Sequence, residues 1–150
     1  MSPIAQPNIQ VANPMSTSAN KLLIHRLIEE VINTGDVARL PEFVAPGFLD
    51  EFREHILAVR RTYPDLHLTI DQQIAEGDLV ATCVTMTGTH RGEWPPGAKP
   101  TNKPVRMQGV NIDRIREGLI VEHGGAANQM EAFMEIGVLQ LAESGPPPHS

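Results

Sequence analysis

Residues 105–127 read VRMQGVNIDRIREGLIVEHGGAA, and this stretch decides the fold. Val and Ile recur on both sides of Arg116-Glu117-Gly118, a pattern typical of two β-strands joined by a tight turn. A connection this short makes the strands, 105–115 and 119–127, antiparallel neighbours. The stretch therefore predicts an antiparallel β-hairpin.

Two more strands are predicted upstream of the hairpin, at 67–75 and 78–90. The first alternates loosely between apolar and polar residues, and the second is long and rich in Val and Thr. Glu76-Gly77-Asp78 between them is a turn signal, and glycine and proline cluster from 92 to 104 as they do in a long loop. The second half of the chain thus predicts four antiparallel strands.

Helices are predicted before the strands, at 20–33, 37–43 and about 50–61, and a short helix follows Asn128. In the first helix the apolar residues recur at helical spacing and form one wide stripe. Helices first and antiparallel strands after indicate the α+β class. We expect a cone-shaped, curved, mixed or antiparallel sheet, a half-barrel packed on the N-terminal helices, with an apolar pocket between them.

The chain of 150 residues has the size of one domain. Residues 20–140 are predicted to form that domain. Residues 1–19 carry prolines without strand or helix periodicity and are expected to be a flexible arm. Residues 141–150 include three consecutive prolines, which fit neither a helix nor a central strand, and are expected to be a disordered tail.

Charge and composition exclude several classes of protein. The net charge of −6 argues against binding to nucleic acid or to an anionic membrane. No apolar run approaches the ~20 residues that span a bilayer. The single cysteine, Cys83, rules out an internal disulfide framework. The first residues lack a basic region followed by an apolar one, so no secretory signal is expected and the predicted location is cytoplasmic.

Side-chain alternation assigns the residues of each strand to two faces. On 78–90 the more apolar set is expected to line the core: Val80, Thr82, Val84, Met86, Gly88 and His90. On 105–115 the alternation separates Met107, Gly109, Asn111 and Asp113 from Gln108, Val110 and Ile112. Neither of these sets is cleanly apolar, so alternation alone leaves the inner face of this strand open. Glu122 and His123 also alternate, so only one of them can face a cavity.

Several segments resemble a known family in order and spacing. They are GTHRGEW at 88–94, GVNIDRIREGLIVEH at 109–123 and the terminal helix. The chain resembles the SnoaL-like polyketide cyclase family of the nuclear transport factor 2-like superfamily, over roughly residues 20–139. The resemblance implies the cone-shaped fold and favours the set containing Asp113 as the pocket-facing one.

The resemblance also implies a chemistry. Cyclases of this family close a polyketide chain by an intramolecular aldol reaction that needs no cofactor and no metal. A carboxylate removes a proton next to a carbonyl group, and the enolate forms in an apolar pocket that holds the chain folded. The expected ligand is a small apolar carbonyl compound, and cyclase, isomerase or lyase activity would all use this acid–base step.

This chain departs from the family pattern at two positions. The family usually has Glu-His-Trp and then, after three further residues, an Asp. Here Gly124 stands at the Trp position and Asn128 at the position of the catalytic Asp. An amide cannot take a proton at neutral pH, but it can hold a carbonyl or enolate oxygen.

The candidate site residues follow from these observations. The catalytic candidates are Asp113, a carboxylate within a Val- and Ile-rich strand, and His90, a histidine expected at the pocket rim. The candidates for substrate binding are Asn128, Glu122, His55 and Trp94. By resemblance Glu122 is expected to face inward and to pair with an arginine or a backbone group. Each has a structural alternative, such as helix capping by Asn128 with Glu131 reaching back.

Two other functions remain open at this point. The chain can be a non-catalytic module that binds a small molecule, or a dimerising domain whose cavity is filled by its own side chains. The outer sheet face, with Val110 and Ile112, is expected to pair with a second copy in a homodimer or higher homo-oligomer.

Overall fold

The structure is a computed structural model, and it describes residues 14–142. The predictions for residues 1–13 and 143–150 lie outside the described residues. The elements are α1 (Pro14–Leu27), a π-helical turn (Ile28–Ile32), a 3₁₀-helix (Val37–Glu42), α2 (Leu49–Thr62), β1 (His67–Glu76), β2 (Leu79–Thr89), β3 (Pro104–Arg116), β4 (Leu119–Ala127) and α3 (Gln129–Glu135).

The first helix begins at Pro14, six residues before its predicted start. Proline suits the first helical position, where its missing N–H needs no partner. The end of the helix widens into a π-helical turn, in which the Asn33 N–H bonds the carbonyl of Ile28 at 2.9 Å. The last six residues of the predicted arm therefore belong to α1.

The predicted α+β class and the antiparallel sheet are confirmed. The four strands follow one another in the order β1-β2-β3-β4, each antiparallel to the next. One parallel bridge joins Val44 to Ile120, so the segment before α2 lies against β4. This bridge brings α2 close to the edge of the sheet.

The inner faces expected for β2 from alternation and for β3 from the family resemblance are also confirmed. Val80, Thr82 and His90 of the inner set are fully buried. On β3, Asp113 is 2% exposed, whereas Ile112 next to it is 51% exposed. The helices therefore cover the face of β3 that the family resemblance favours.

A packed core fills the space between α1 and the sheet. The helical stripe is buried along its length, and its members are Ile24, Leu27, Ile28 and Val31. These side chains meet Val80 and Val84 of the sheet in one cluster of buried residues. The stripe that was expected to border a pocket thus packs directly against the inner face, since its large branched side chains reach the sheet.

Candidate functional site

The β3–β4 hairpin contains a bulge that decides which side chains face the helices. Its tight turn has positive φ angles at Glu117 and Gly118, 51° and 74°. Ile115 pairs with Ile120, but the next pair is Arg114 with Glu122, so Val121 has no partner. This extra residue shifts the register by one position.

Beyond the bulge, Asp113 pairs with His123 and both side chains lie on the inner face. Nδ1 of His123 donates a hydrogen bond to Oδ1 of Asp113 over 2.6 Å. The Asp113 side chain is 3% exposed and the His123 side chain 19% exposed. The pair is therefore shielded from water on the carboxylate side and accessible on the imidazole side.

The hydrogen bond determines where the imidazole carries its proton. A carboxylate only accepts, so the proton stays on Nδ1 and Nε2 keeps its lone pair. Within residues 14–142, no protein group bonds Nε2 of His123. This nitrogen is free to take a proton from a bound molecule, and the buried carboxylate stabilises the imidazolium that results.

Helix α2 supplies aromatic side chains next to the pair. The ring of Phe52 meets His123 edge-on, with 5.0 Å between the ring centroids. Phe48 lies one turn earlier, 5.6 Å from Phe52. The imidazole thus lies between a carboxylate and an apolar wall, the surroundings that an apolar carbonyl compound needs.

His55, predicted as a substrate-binding residue, lies beside this pair. Its ring centroid is 6.1 Å from that of His123. Partial burial of the His55 ring among its neighbours lowers its pKa, and positive charge on His123 lowers it further. The residue keeps an exposed surface, so it borders the site on the solvent side.

The expectation that Glu122 faces inward is wrong. Its carboxylate points to the outer face, is 66% exposed, and accepts a hydrogen bond from Nε of Arg114 at 3.0 Å. The expected pairing with an arginine is confirmed, but the bulge at Val121 turns His123 to the inside in place of Glu122.

His90 and Trp94 lie at the opposite end of the sheet from Asp113. Thr89 pairs with Pro104 near that end, and β3 covers about 30 Å from there to Asp113. Nδ1 of His90 accepts the Thr101 N–H at 3.1 Å, and Nε2 contacts the Trp94 carbonyl at 2.8 Å. Both ring nitrogens of this fully buried histidine therefore hold the loop after β2, while the indole of Trp94 is 44% exposed.

Asn128 lies on the outer side of the sheet, next to Gln108. Its Oδ1 accepts the Gln108 N–H at 2.8 Å, and its own N–H donates to the Gln108 carbonyl at 3.1 Å. Glu131 does reach back, but to the Asn128 side-chain amide at 3.3 Å and not to its backbone. Since Gln108 is five positions from Asp113, Asn128 lies about 16 Å from the Asp113–His123 pair.

A cavity of about 480 Å³ opens on the outer face of the sheet. Side chains from the outer rows of the strands line it, among them Asp71, Cys83, Val110 and Asn128. Cys83 is a half-buried free thiol in this groove. The groove lies on the side of the sheet opposite to the Asp113–His123 pair.

His123 is the site residue that sequence reasoning missed. Counting back evenly from the turn pairs Asp113 with Glu122, because a regular hairpin has no extra residue. The buried carboxylate was the available signal, since a charge in a Val- and Ile-rich strand needs a partner. The bulge that supplies the partner has no clear mark in the sequence.

Two further features concern metals and membranes. Within residues 14–142, no three His, Cys, Asp or Glu side chains are grouped so that they could hold a metal ion. Across the same residues, no helix combines the length and the apolar character needed to cross a bilayer.

The curved antiparallel sheet, its N-terminal helices and the polar pair on its inner face define a cone-shaped α+β half-barrel. Residues 22–136 match the sequence model of the SnoaL-like polyketide cyclases. The chain belongs to the SnoaL-like polyketide cyclase family. A search of curated proteins gives no match.

Solved structures share this fold. A proposed SnoaL-like polyketide cyclase from Jannaschia sp. CCS1 superposes with a TM-score of 0.74 at 20% identity, covering 92% of this chain and 99% of that one. AclR from Streptomyces galilaeus, a proposed hydroxylase, gives 0.73 at 24% identity over 86% and 87%. IdmH from Streptomyces antibioticus, a proposed polyketide cyclase, gives 0.68 at 28% identity over 79% and 98%. Proteins that share this fold are thus named for two different classes of reaction.

Proposed function

We propose that this protein is an enzyme that removes and returns protons on a small apolar carbonyl compound, with His123 as the acid–base group. The observation that carries the proposal is the 2.6 Å hydrogen bond from Nδ1 of His123 to the buried Asp113. The bond leaves Nε2 as the proton acceptor. Asp113, predicted as the catalytic acid–base residue, takes the role of orienting the imidazole.

The proposed reaction is an intramolecular aldol closure without cofactor. Nε2 of His123 takes a proton from the carbon next to a carbonyl group, and the enolate carbon bonds to a second carbonyl carbon of the same molecule. The alkoxide formed there takes a proton back from the imidazolium, so the protein ends in its starting state. An isomerase would share the first step and return the proton to a different carbon.

The position of the acid–base group explains how activity is compatible with Asn128. The family Asp precedes the last helix, where this chain has an amide. Here the imidazole of His123 on β4 supplies a nitrogen that accepts a proton. The edge-on contact with Phe52 at 5.0 Å provides an apolar surface for the hydrocarbon part of the ligand.

Proton exchange tests the proposal without knowledge of the natural substrate. The probe is acetophenone in deuterium oxide, and NMR measures the loss of its methyl protons with time. The wild-type protein should accelerate the exchange, and His123→Gln should slow it about a hundredfold or more, the usual share of general acid–base catalysis. Asp113→Asn should also slow the exchange, because it no longer fixes the Nδ1–H form.

His25→Gln is the matched control, because His25 is exposed on α1 far from the pair in sequence. It should exchange acetophenone at the wild-type rate. Equal rates for wild type, His123→Gln and a protein-free sample would contradict the proposed activity.

A second candidate function is a binding and dimerising module that uses the outer face. The observations in its favour are the cavity of about 480 Å³ on that face, which Val110 helps to line, and the exposure of Val110 and Ile112, 40% and 51%. We propose that a second copy of the chain covers this face in a homodimer. The dimer is compatible with catalysis on the inner face, since the two surfaces lie on opposite sides of the sheet.

A further inference from the structure

The inner face of β3 presents a second polar group close to His123. Asn111 lies two residues before Asp113 on the same face and is half-buried. Within residues 14–142, its side-chain amide makes no hydrogen bond to the protein. A half-buried amide that no protein group satisfies is available to a ligand.

Gly125 makes room for this amide. It pairs with Asn111 across the β3–β4 ladder. A Cβ atom built on Gly125 would come within 2.7 Å of Oδ1 of Asn111 and 2.6 Å of the Val110 carbonyl oxygen. The Asn111 side chain therefore lies across β4, in the space that any other residue at 125 would fill.

The position of Gly125 on β4 relates the Asn111 amide to the acid–base group. Gly125 and His123 lie two residues apart on the same face of β4, which is about 7 Å. This spacing between backbone positions is comparable to the length of a small ketone together with a hydrogen bond of about 3 Å at its oxygen. The spacing is therefore compatible with one ligand that contacts both residues.

We propose that the Asn111 side-chain amide binds the oxygen of the substrate and holds the enolate that His123 generates. This inference rests on the proposed function, and it names the ligand as a compound whose carbonyl oxygen gains negative charge. The amide N–H donates to that oxygen. Gly125 positions the amide, because the absence of a side chain at 125 leaves the space that the amide occupies.

Binding of an enolate mimic tests the inference separately from turnover. The probe is p-nitrophenol, whose ionised oxygen resembles an enolate oxygen and whose absorbance reports ionisation. NMR of the Asn111 side-chain amide should show a shift on addition of the probe. Asn111→Ala should weaken binding about tenfold or more, as expected for a hydrogen bond to a charged acceptor.

The adjacent glycines Gly124 and Gly125 provide a test variant and a matched control. Gly125→Ala should weaken binding to a similar extent, because the new methyl group must displace both the Asn111 amide and the Val110 carbonyl oxygen. Gly124→Ala should bind like wild type, since apart from the chain neighbours no atom of residues 14–142 lies within 4 Å of the Cβ position there. In the exchange assay, Gly125→Ala should lower the rate at saturating acetophenone as well as its affinity, whereas Gly124→Ala should change neither.

The two proposals fail in different ways. An unshifted Asn111 amide, or wild-type affinity in Asn111→Ala, overturns the role of Asn111 even where the wild-type protein exchanges acetophenone. Binding that depends on Asn111 in a protein without exchange activity supports the oxygen site and contradicts the acid–base role of His123. Circular dichroism of both variants separates loss of binding from loss of folding.

Discussion

Asp113 shows how one buried carboxylate organises its surroundings. The sequence marked it as unusual, because charge within a Val- and Ile-rich strand needs a partner or solvent. The structure supplies His123 at 2.6 Å. The residue type was readable from the sequence, but the partner depended on a register shift that residue identities do not show.

Removal of Asp113 should destabilise the fold more than removal of Glu122, the exposed carboxylate on the adjacent strand. Asp113→Ala leaves the largely buried Nδ1–H of His123 without an acceptor, so we expect a loss of about 1–3 kcal/mol in urea unfolding. Glu122→Ala removes an exposed carboxylate from the same hairpin and should cost at most about 1 kcal/mol. Equal losses would contradict the structural importance of the inner pair.

His55 should make the stability fall on mild acidification. Burial, and then the charge of His123, lower its pKa in the folded state below the ordinary value of 6.5. As the pH falls through 6.5 and then through the folded pKa, the unfolded chain takes up a proton that the folded state disfavours. The contribution of neutral His55 is therefore present above this range and lost below it.

The variant His55→Gln removes this titration. Its free energy of unfolding should decline less than that of wild type as the pH is lowered through 6.5. Urea unfolding at a series of pH values measures the two slopes. Parallel curves for the two proteins would contradict the lowered pKa.

At the scale of elements, the β3–β4 hairpin was only partly predictable from the sequence. The strands, their turn and their antiparallel pairing were predictable from Val, Ile and Glu117-Gly118. The bulge at Val121 was not, because residue identities alone do not distinguish the bulged pairing from a regular one. One unpaired residue exchanged the faces of Glu122 and His123.

The loop between β2 and β3 depends on His90. This fully buried ring contacts the backbone of Thr101 and Trp94. His90→Asn should loosen the loop, so amide hydrogen exchange across 91–103 should accelerate about tenfold or more, which equals the loss of a hydrogen bond of about 1.4 kcal/mol. His67→Asn, at an exposed position on β1, is the control. Unchanged exchange in His90→Asn would mean that other contacts hold the loop.

At the scale of the whole molecule, helical and strand periodicity sufficed for the α+β class and the inner face of β2, whereas the inner face of β3 followed from the family resemblance. The location of open space was harder to predict, because it depends on how far side chains reach. The stripe of α1 packs against Val80 and Val84 on the inner face, and a cavity of about 480 Å³ opens on the other side of the sheet.

The proposed pairing of two chains through the outer sheet face can be tested by measuring the mass of the protein in solution. The chain has a mass of 16.4 kDa, and light scattering on the eluted protein should give about twice that value if a second copy covers this face. Ile112→Lys places a charge on the face and should shift the mass to that of one chain. Leu22→Lys changes a residue of α1 that is 58% exposed and should leave the dimer intact. A single-chain mass for wild type would contradict the homodimer.

The measurement that tests the central claim most directly is the nitrogen NMR spectrum of the His123 imidazole. If Asp113 holds Nδ1–H, the neutral ring should show a protonated Nδ1 and an unprotonated Nε2, and Asp113→Asn should remove this preference. A neutral ring that carries its proton on Nε2 in the wild-type protein would contradict His123 as the group that receives the substrate proton.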